Sequence, residues 1–239
     1  MLTIIIDADD TLWENNIYYE QVLADFAALL ADEGFDPQEA KHTMEAVERE
    51  RIPEVGYAPR EFARSLVITY ERLCRRHGRA VEDSLVEAIR RIGLTVVDYP
   101  MVLMDGVEKT LAELSRRYHL LLLTKGDPLV QRDKLTRSGL DRFFDGIHVV
   151  GEKDVDVFRD LIRQYDLEPQ RTWMVGNSPR SDINPAREAG IGAVYVPHPN
   201  TWNLEIEEVA DPEGVPVLES FATLAELLAG YEPDRGGQR

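Results

Sequence analysis

The sequence predicts an α/β fold: a doubly wound parallel sheet with a smaller all-helical domain inserted into it. The chain opens with a short apolar, β-branched run up to Ile6, which is typical of a buried strand. From about residue 99 onward, strand patterns alternate with helical ones. Such alternation produces a parallel sheet with helices on both faces. Between residues 14 and 95 only helical patterns occur, so this stretch interrupts the sheet after its first strand.

These patterns predict a core domain, formed by 1–14 and 98–230, and a helical domain over 15–97. A Gly- and charge-rich tail over 231–239 is predicted to be mobile. Helices are expected in the insertion from about residue 18 and over 37–52, 59–78 and 80–92. Pro53 begins a predicted loop that runs to Pro59, and Gly93 is predicted to end the last helix.

The core domain is predicted to contain five further strands and the helices between them. The strands are expected at 119–124, 147–150, 172–175, 193–196 and 215–218. Pro216 would place the last strand at an edge of the sheet, because proline cannot donate to a ladder. The helices are expected at 107–118, 128–139, 155–165, 181–189 and 221–228.

Composition excludes several classes of protein. The 239 residues are 44% hydrophobic and include 44 acidic against 27 basic residues, giving a net charge of −17. This charge disfavours binding to nucleic acid or to an anionic membrane surface, since both require basic surface. The single cysteine, Cys74, rules out an intrachain disulfide. No apolar run approaches the length of a membrane span and no signal peptide is evident, so a cytoplasmic protein is expected.

Polar side chains follow the predicted strands at the edge where an open α/β sheet binds its ligands. Asp7, Asp9 and Asp10 come directly after the first strand, and like charges packed so closely repel unless a cation offsets them. The other groups at this edge are Thr124, Lys125, Gly126, Glu152, Lys153, Asn177, Ser178 and Asp182. Polar groups at the ends of four strands rarely arise together by accident, which indicates an active site.

The charges of these groups suit phosphoryl transfer. A phosphate monoester is a dianion and requires cations, which Lys153 and a metal ion would supply. Asp7 and Asp182 offer the hard oxygen ligands that Mg²⁺ prefers. A carboxylate can attack phosphorus, while the second one, Asp9, exchanges protons with the leaving oxygen and with water. Thr124 and the backbone after it can hold a phosphoryl oxygen, and Gly126 permits close approach.

The sequence resembles the haloacid dehalogenase-like hydrolases, over roughly residues 2–30 and 98–229. Four stretches carry the resemblance in order: Asp7-Ala8-Asp9-Asp10-Thr11, Leu120–Thr124, Lys153 with Phe158, and Gly176-Asn177-Ser178-Pro179-Arg180-Ser181-Asp182-Ile183. The resemblance implies a Rossmann-like core with a helical cap, and Mg²⁺ bound by Asp7, Asp182 and the backbone carbonyl of Asp9. It also implies a phosphatase of a small phosphorylated metabolite, with Asp7 as nucleophile and Asp9 as general acid/base.

By the same resemblance Thr124 and Lys153 bind the phosphate, and Lys153 balances the charge of the nucleophile. The sequence departs from the family in two places. Asn177 stands where many members have aspartate, so it is expected at most to hold a metal-bound water. Asp154 follows the lysine where many members have proline, which makes the field around Lys153 less positive.

Other interpretations stay open at this point. Thr124 and Asp182 are residue types that also cap helices, and lysine is common at surfaces. Lys125 is expected to contribute only its backbone. A metal-independent 2-haloacid dehalogenase is disfavoured by Asp9 and Asp182, and a non-catalytic phosphate-binding or partner-binding protein by the complete polar set. The pattern leaves the oligomeric state undetermined.

Overall fold

The computed structural model describes residues 1–231, so the predicted tail beyond Tyr231 lies outside the described residues. The contacts of the chain divide it into two compact units. One unit contains Met1–Glu14 and the described residues from Met101 onward, and the other is Asn15–Pro100. No helix in the described part of the chain is long and apolar enough to cross a membrane.

The first unit is built on a five-stranded parallel sheet in the order β3-β2-β1-β4-β5. The strands are β1 (Thr3–Ile6), β2 (His119–Lys125), β3 (Gly146–Val150), β4 (Thr172–Gly176) and β5 (Gly192–Tyr195). The prediction of a doubly wound α/β fold is confirmed. Because the strand order reverses beside β1, the carboxyl ends of β1 and β4 form a crevice where such sheets bind ligands.

Alternation along β1 sends its side chains into two cores. Ile4 and Ile6 pack with one cluster, which includes residues of α5 (Val107–Leu114) and α9 (Leu224–Ala229). Ile5 packs with the other cluster, which includes residues of α7 (Val155–Tyr165) and α8 (Asn184–Glu188). All three isoleucines are fully buried. Each such burial contributes about 1.5–3 kcal/mol, so β1 is a strongly anchored base for the residues that follow it.

The second unit contains four helices and has a core of its own. They are α1 (Asn16–Asp32), α2 (Pro37–Val55), α3 (Pro59–Arg76) and α4 (Asp83–Leu94). Its buried core includes Phe26, Leu66, Tyr70 and Ile89. Asp36 caps α2, since its side chain accepts a hydrogen bond from the Gln38 N–H at 2.8 Å.

Two predicted helix ends in this unit are wrong. Pro53 does not begin a loop but lies in the last turn of α2. Its missing N–H removes one helical hydrogen bond there, and only two residues of the helix follow it. Gly56, with φ of 72°, ends the helix instead. Gly93 lies inside α4. A Cβ at this position would come within 2.7 Å of Ala63 Cα, so a larger residue would clash with α3. This glycine serves close packing of α3 against α4 and does not end the helix.

The predicted strand at 215–218 is also wrong. In place of a strand, an isolated bridge joins Val217 to Tyr195, the last residue of β5. Pro216 has no N–H to donate, although its carbonyl accepts from the Tyr195 N–H at 2.9 Å.

Three predicted helices in the first unit differ in their limits. The helix predicted over 107–118 is α5, which already ends at Leu114. The one predicted over 221–228 opens as a 3₁₀ turn, Phe221–Thr223, before α9. The one predicted over 181–189 is divided into a π-helical turn, Pro179–Ile183, and the short α8. Such π turns often occur at functional sites, and this one contains Asp182.

Candidate active site

Asp7 is the first residue after β1, and hydrogen bonds hold both its backbone and its side chain. Its N–H donates to the Val175 carbonyl at 2.9 Å, which continues the pairing with β4. Its side chain is buried, and Oδ2 accepts a hydrogen bond from Thr11 Oγ1 at 2.9 Å. The same hydroxyl lies 3.4 Å from Asn177 Oδ1, so Asn177 reaches Asp7 through Thr11.

Lys153 joins the two predicted metal-binding carboxylates. Its Nζ donates to Asp7 Oδ1 and, at 2.7 Å, to Asp182 Oδ1. All three side chains are buried. Lys153 lies between β3 and α7, and its neighbour Asp154 is exposed and caps α7 by accepting from the Val157 N–H at 3.0 Å. The structure therefore brings Asp7, Lys153 and Asp182 together at the edge of the sheet.

The π turn places Asp182 over the end of β4. Ser178, not Asp182, caps this turn by accepting a hydrogen bond from the Ser181 N–H at 2.9 Å. Asp182 Oδ2 accepts from the Ser178 N–H at 3.0 Å. A Cβ on Gly176 would come within 2.2 Å of that oxygen, so glycine is required for this close approach.

The electrostatics of this trio are unbalanced. Burial raises the pKa of Asp182 to about 7, against the opposing charge of Lys153 and with the added repulsion of Asp7. Burial alone would lower the pKa of Lys153, but the charges of Asp182 and Asp7 raise it above its ordinary value. Two buried carboxylates share one ammonium group, so their full ionisation requires a further cation. Oxygen donors in a buried acidic setting fit Mg²⁺.

Asp9 turns toward a different set of partners. Its carboxylate accepts from Trp13 Nε1 at 2.7 Å, from Gln131 Nε2 at 2.8 Å and from Lys134 Nζ at 2.8 Å. Burial would raise the pKa of Asp9, but the charge of Lys134 and these hydrogen bonds hold it below its ordinary value. This arrangement keeps Asp9 ionised at neutral pH.

Thr124 and Gly126 both lie beside Gln131. Thr124 is buried, and its Oγ1 accepts a hydrogen bond from Gln131 Nε2 at 2.9 Å. It does not cap α6 (Pro128–Ser138), because Asp127 does so by accepting from the Leu129 N–H at 2.9 Å. Gly126 has a φ of 138°, and its N–H donates to the Val150 carbonyl at 2.9 Å.

Lys125 contacts an acidic partner that the sequence pattern did not indicate. Its Nζ pairs with Glu205 and lies 3.1 Å from Ser181 Oγ. Glu205 is buried and lies in the loop after β5. The hydrogen bonds of the Lys125 ammonium are thus directed at protein groups, and its proposed contribution through the backbone stays a prediction.

Sequence reasoning missed Gln131, Lys134 and Glu205. The first two lie on α6, one and two turns after the Asp127 cap, so they project from the helix that follows Thr124. Their i, i+3 spacing places both on one helix face, which was a usable signal. Glu205 follows no strand directly and gave no such signal.

A second group of side chains that could bind a metal consists of residues other than the predicted Mg²⁺ ligands. His198 Nε2 is 3.4 Å from Glu14 Oε2, and His198 Nδ1 is 3.8 Å from Asp10 Oδ1. The ligand atoms of these three residues all lie within 4.8 Å of one another. Asp10 is buried with a φ of 60°. None of the predicted Mg²⁺ ligands belongs to this group.

Comparison with known proteins identifies the family. A family model described as "haloacid dehalogenase-like hydrolase" matches residues 1–190. The chain belongs to the haloacid dehalogenase-like hydrolases. The prediction made from the four motifs is confirmed, and the residues predicted to form the active site, from Asp7 to Asp182, lie within the matched residues.

Individual relatives agree with this assignment. The chain is 34% identical to a phosphoserine phosphatase of Thermus thermophilus over 64% of its own length and 53% of that protein. It is 24% identical to a glyceraldehyde 3-phosphate phosphatase of Methanocaldococcus jannaschii over 97% of its length and 98% of that protein. The chain spans about half the length of the first curated relatives that it matches.

Among solved structures, a haloacid dehalogenase-like family hydrolase from Xanthomonas campestris superposes with a TM-score of 0.81 and 28% identity. The match covers 97% of this chain and 91% of that one. The fold of the chain is therefore that of the family.

Proposed function

We propose that this chain is a Mg²⁺-dependent phosphatase that hydrolyses a small phosphorylated metabolite through an aspartyl-phosphate on Asp7. The observation that carries the proposal is the buried trio in which Lys153 contacts both Asp7 and Asp182. A nucleophilic carboxylate requires a nearby cation to accept the dianion of a phosphate monoester, and Lys153 is placed to act in this way. Relatives that are named phosphatases support the same reaction class.

In the first step a carboxylate oxygen of Asp7 forms a bond to phosphorus while the bond to the leaving oxygen breaks. Lys153 and the Thr124 hydroxyl would hold the phosphoryl oxygens. Bound Mg²⁺, held by Asp7, Asp182 and the Asp9 carbonyl, would offset the charge that the two buried acids and the phosphate bring together. Asn177 would take part only indirectly, through its neighbour Thr11.

In the second step water attacks phosphorus, the bond to Asp7 breaks, and Asp9 accepts the proton of the water. The contacts of Asp9 with Lys134 and Gln131 favour the ionised form that this step requires. Donating a proton in the first step requires protonation of Asp9, which its pairing with Lys134 opposes. In the proposal, the proton that Asp9 takes from water in the second step is the one that it gives to the leaving oxygen in the first step of the next turnover. A cap role for the helical unit is part of the proposal by family resemblance.

The experiment that tests this function is a turnover screen of phosphate monoesters with Mg²⁺ and with the metal chelated. The panel would include phosphoserine and glyceraldehyde 3-phosphate, on which the named relatives act. We expect release of phosphate only with Mg²⁺, and loss of turnover by at least about 10³-fold in Asp7→Asn, because the nucleophile is removed. Asp141→Asn, an exposed aspartate of the same unit, is the matched control.

Three outcomes would contradict the proposal. Full turnover in Asp7→Asn would remove the assigned nucleophile. Halide release from a 2-haloacid without metal would favour a dehalogenase. Tight phosphate binding with no turnover of any ester would favour a non-catalytic protein on this fold.

A further inference from the structure

Glu205 makes a dense set of contacts around the loop that carries Asp182. Its Oε2 accepts hydrogen bonds from Ser178 Oγ at 2.6 Å and from Ser181 Oγ at 2.5 Å. Its Oε1 pairs with Lys125 Nζ, so one carboxylate joins the end of β2 to the turn after β4. Glu205 is 8% exposed and lies beyond residue 190, where the family model ends.

The two serines determine how the π turn presents Asp182. Ser178 Oγ caps the turn at Ser181 N, and the Ser178 N–H donates to Asp182 Oδ2. Both hydroxyls donate to Glu205, which fixes the direction of their protons and leaves their lone pairs for other donors. Without the Glu205 carboxylate, the two buried hydroxyls would lose this acceptor, and the Lys125 ammonium would lose one of its carboxylate partners and keep Glu152 at 3.7 Å. A buried donor that loses its acceptor destabilises the arrangement that held it.

The segment around Glu205 adds further contacts to the same loop. Arg180 donates to the Leu204 carbonyl at 2.9 Å, and Asn177 Nδ2 donates to Thr201 Oγ1 at 3.1 Å. Glu205 itself is fixed by its N–H, which donates to the Trp202 carbonyl at 2.8 Å. Every residue of this set belongs to the first unit.

We propose that Glu205 is a positioning residue for the metal site: it holds Ser178 and the π turn in the geometry that presents the Asp182 carboxylate, and it joins them to Lys125. This inference rests on the proposed function, because it assigns Mg²⁺ to Asp182. Burial would raise the pKa of Glu205, but Lys125 and the two serine hydroxyls hold it below its ordinary value. This agrees with a carboxylate that accepts hydrogen bonds in its ionised form. Partners that orient metal ligands typically change metal affinity by about 10–100-fold when removed.

The test is Mg²⁺ binding to the full chain after chelation, measured by calorimetry without substrate. We expect Glu205→Ala to raise the Mg²⁺ dissociation constant by about 10–100-fold. Glu205→Gln should raise it less, because an amide oxygen in the place of Oε2 still accepts from both serines while the pairing of Oε1 with Lys125 is lost. Glu208→Gln, an exposed glutamate three residues further on, is the matched control and should bind Mg²⁺ as the wild type does.

Two further measurements distinguish a positioning role of Glu205 in the metal site from a purely structural role. We expect saturating Mg²⁺ to restore most of kcat in the Glu205 variants, with KM for the ester little changed, because only metal affinity is altered. Mg²⁺ affinity in Glu205→Gln equal to that of Glu208→Gln would overturn the inference, whether or not Glu205→Ala folds. Absence of Mg²⁺ binding in the wild type would instead contradict the proposed function and with it this inference.

Discussion

At the residue scale, the predictable part of the site is the part that follows strands. Asp7, Lys153 and Asp182 each follow the carboxyl end of a predicted parallel strand, and the structure places Lys153 in contact with both carboxylates. The partners of Asp9 were not predicted, because Gln131 and Lys134 reach it from the middle of α6. Such contacts depend on how a helix is rotated against the sheet, which a single sequence does not specify.

The contacts of Asp9 lead to a prediction at this scale. Asp9→Asn should lower kcat by about 10²–10⁴-fold, since the amide cannot take the proton of the attacking water, and should change KM little. Steady-state kinetics at saturating Mg²⁺ with an active ester would measure both quantities. Asp133→Asn is the matched control, because Asp133 is exposed on the same helix, α6, and its carboxylate pairs with Arg137 at 3.4 Å. Unchanged kcat in Asp9→Asn would remove its assigned role.

At the element scale, the strands were easier to predict than the helix ends. β1 and β4 are short, apolar and buried, so their sequence patterns have few alternative explanations. The predictions of helix ends were wrong at a proline and a glycine, because both residue types also occur inside helices. Pro53 lies in the last turn of α2, where few helical hydrogen bonds remain to be lost, and Gly93 lies inside α4 for a reason that only tertiary packing shows.

Gly93 supplies a quantitative test of this point. In an exposed helix, glycine to alanine stabilises by about 1 kcal/mol through helix propensity. At Gly93 the added Cβ would meet Ala63 Cα and Cβ at 2.7 Å, and overpacking of this kind costs about 1–3 kcal/mol. We therefore expect Gly93→Ala to destabilise the protein, measured by denaturant unfolding. Gly151→Ala is the matched control, since a Cβ there meets nothing within 4 Å; equal stability of the two variants would contradict the packing argument.

At the scale of the whole molecule, the alternation of elements was sufficient to predict the doubly wound sheet, and the resemblance of four motifs was sufficient to predict the family. It did not indicate that the segment after β5 contributes Glu205, because loops have no periodicity from which their contacts can be inferred. The predicted Mg²⁺ ligands, Asp7, Asp9 and Asp182, all belong to one of the two compact units. The helical unit, Asn15–Pro100, contributes none of them, so the effect of metal should be unequal across the chain.

Mg²⁺ added to chelated protein should raise the midpoint of thermal unfolding, because a ligand that binds only the folded state stabilises it. At a free concentration one hundred times the dissociation constant, the gain is about 2.7 kcal/mol. Asp182→Asn should abolish the rise, since the variant lacks a proposed ligand, while Asp141→Asn should retain it. Hydrogen exchange should locate the added protection at β1 and β4 and leave α1 to α4 unchanged. Equal stabilisation of Asp182→Asn by Mg²⁺ would show that the metal binds elsewhere, for which the group of Asp10, Glu14 and His198 offers the next set of ligands.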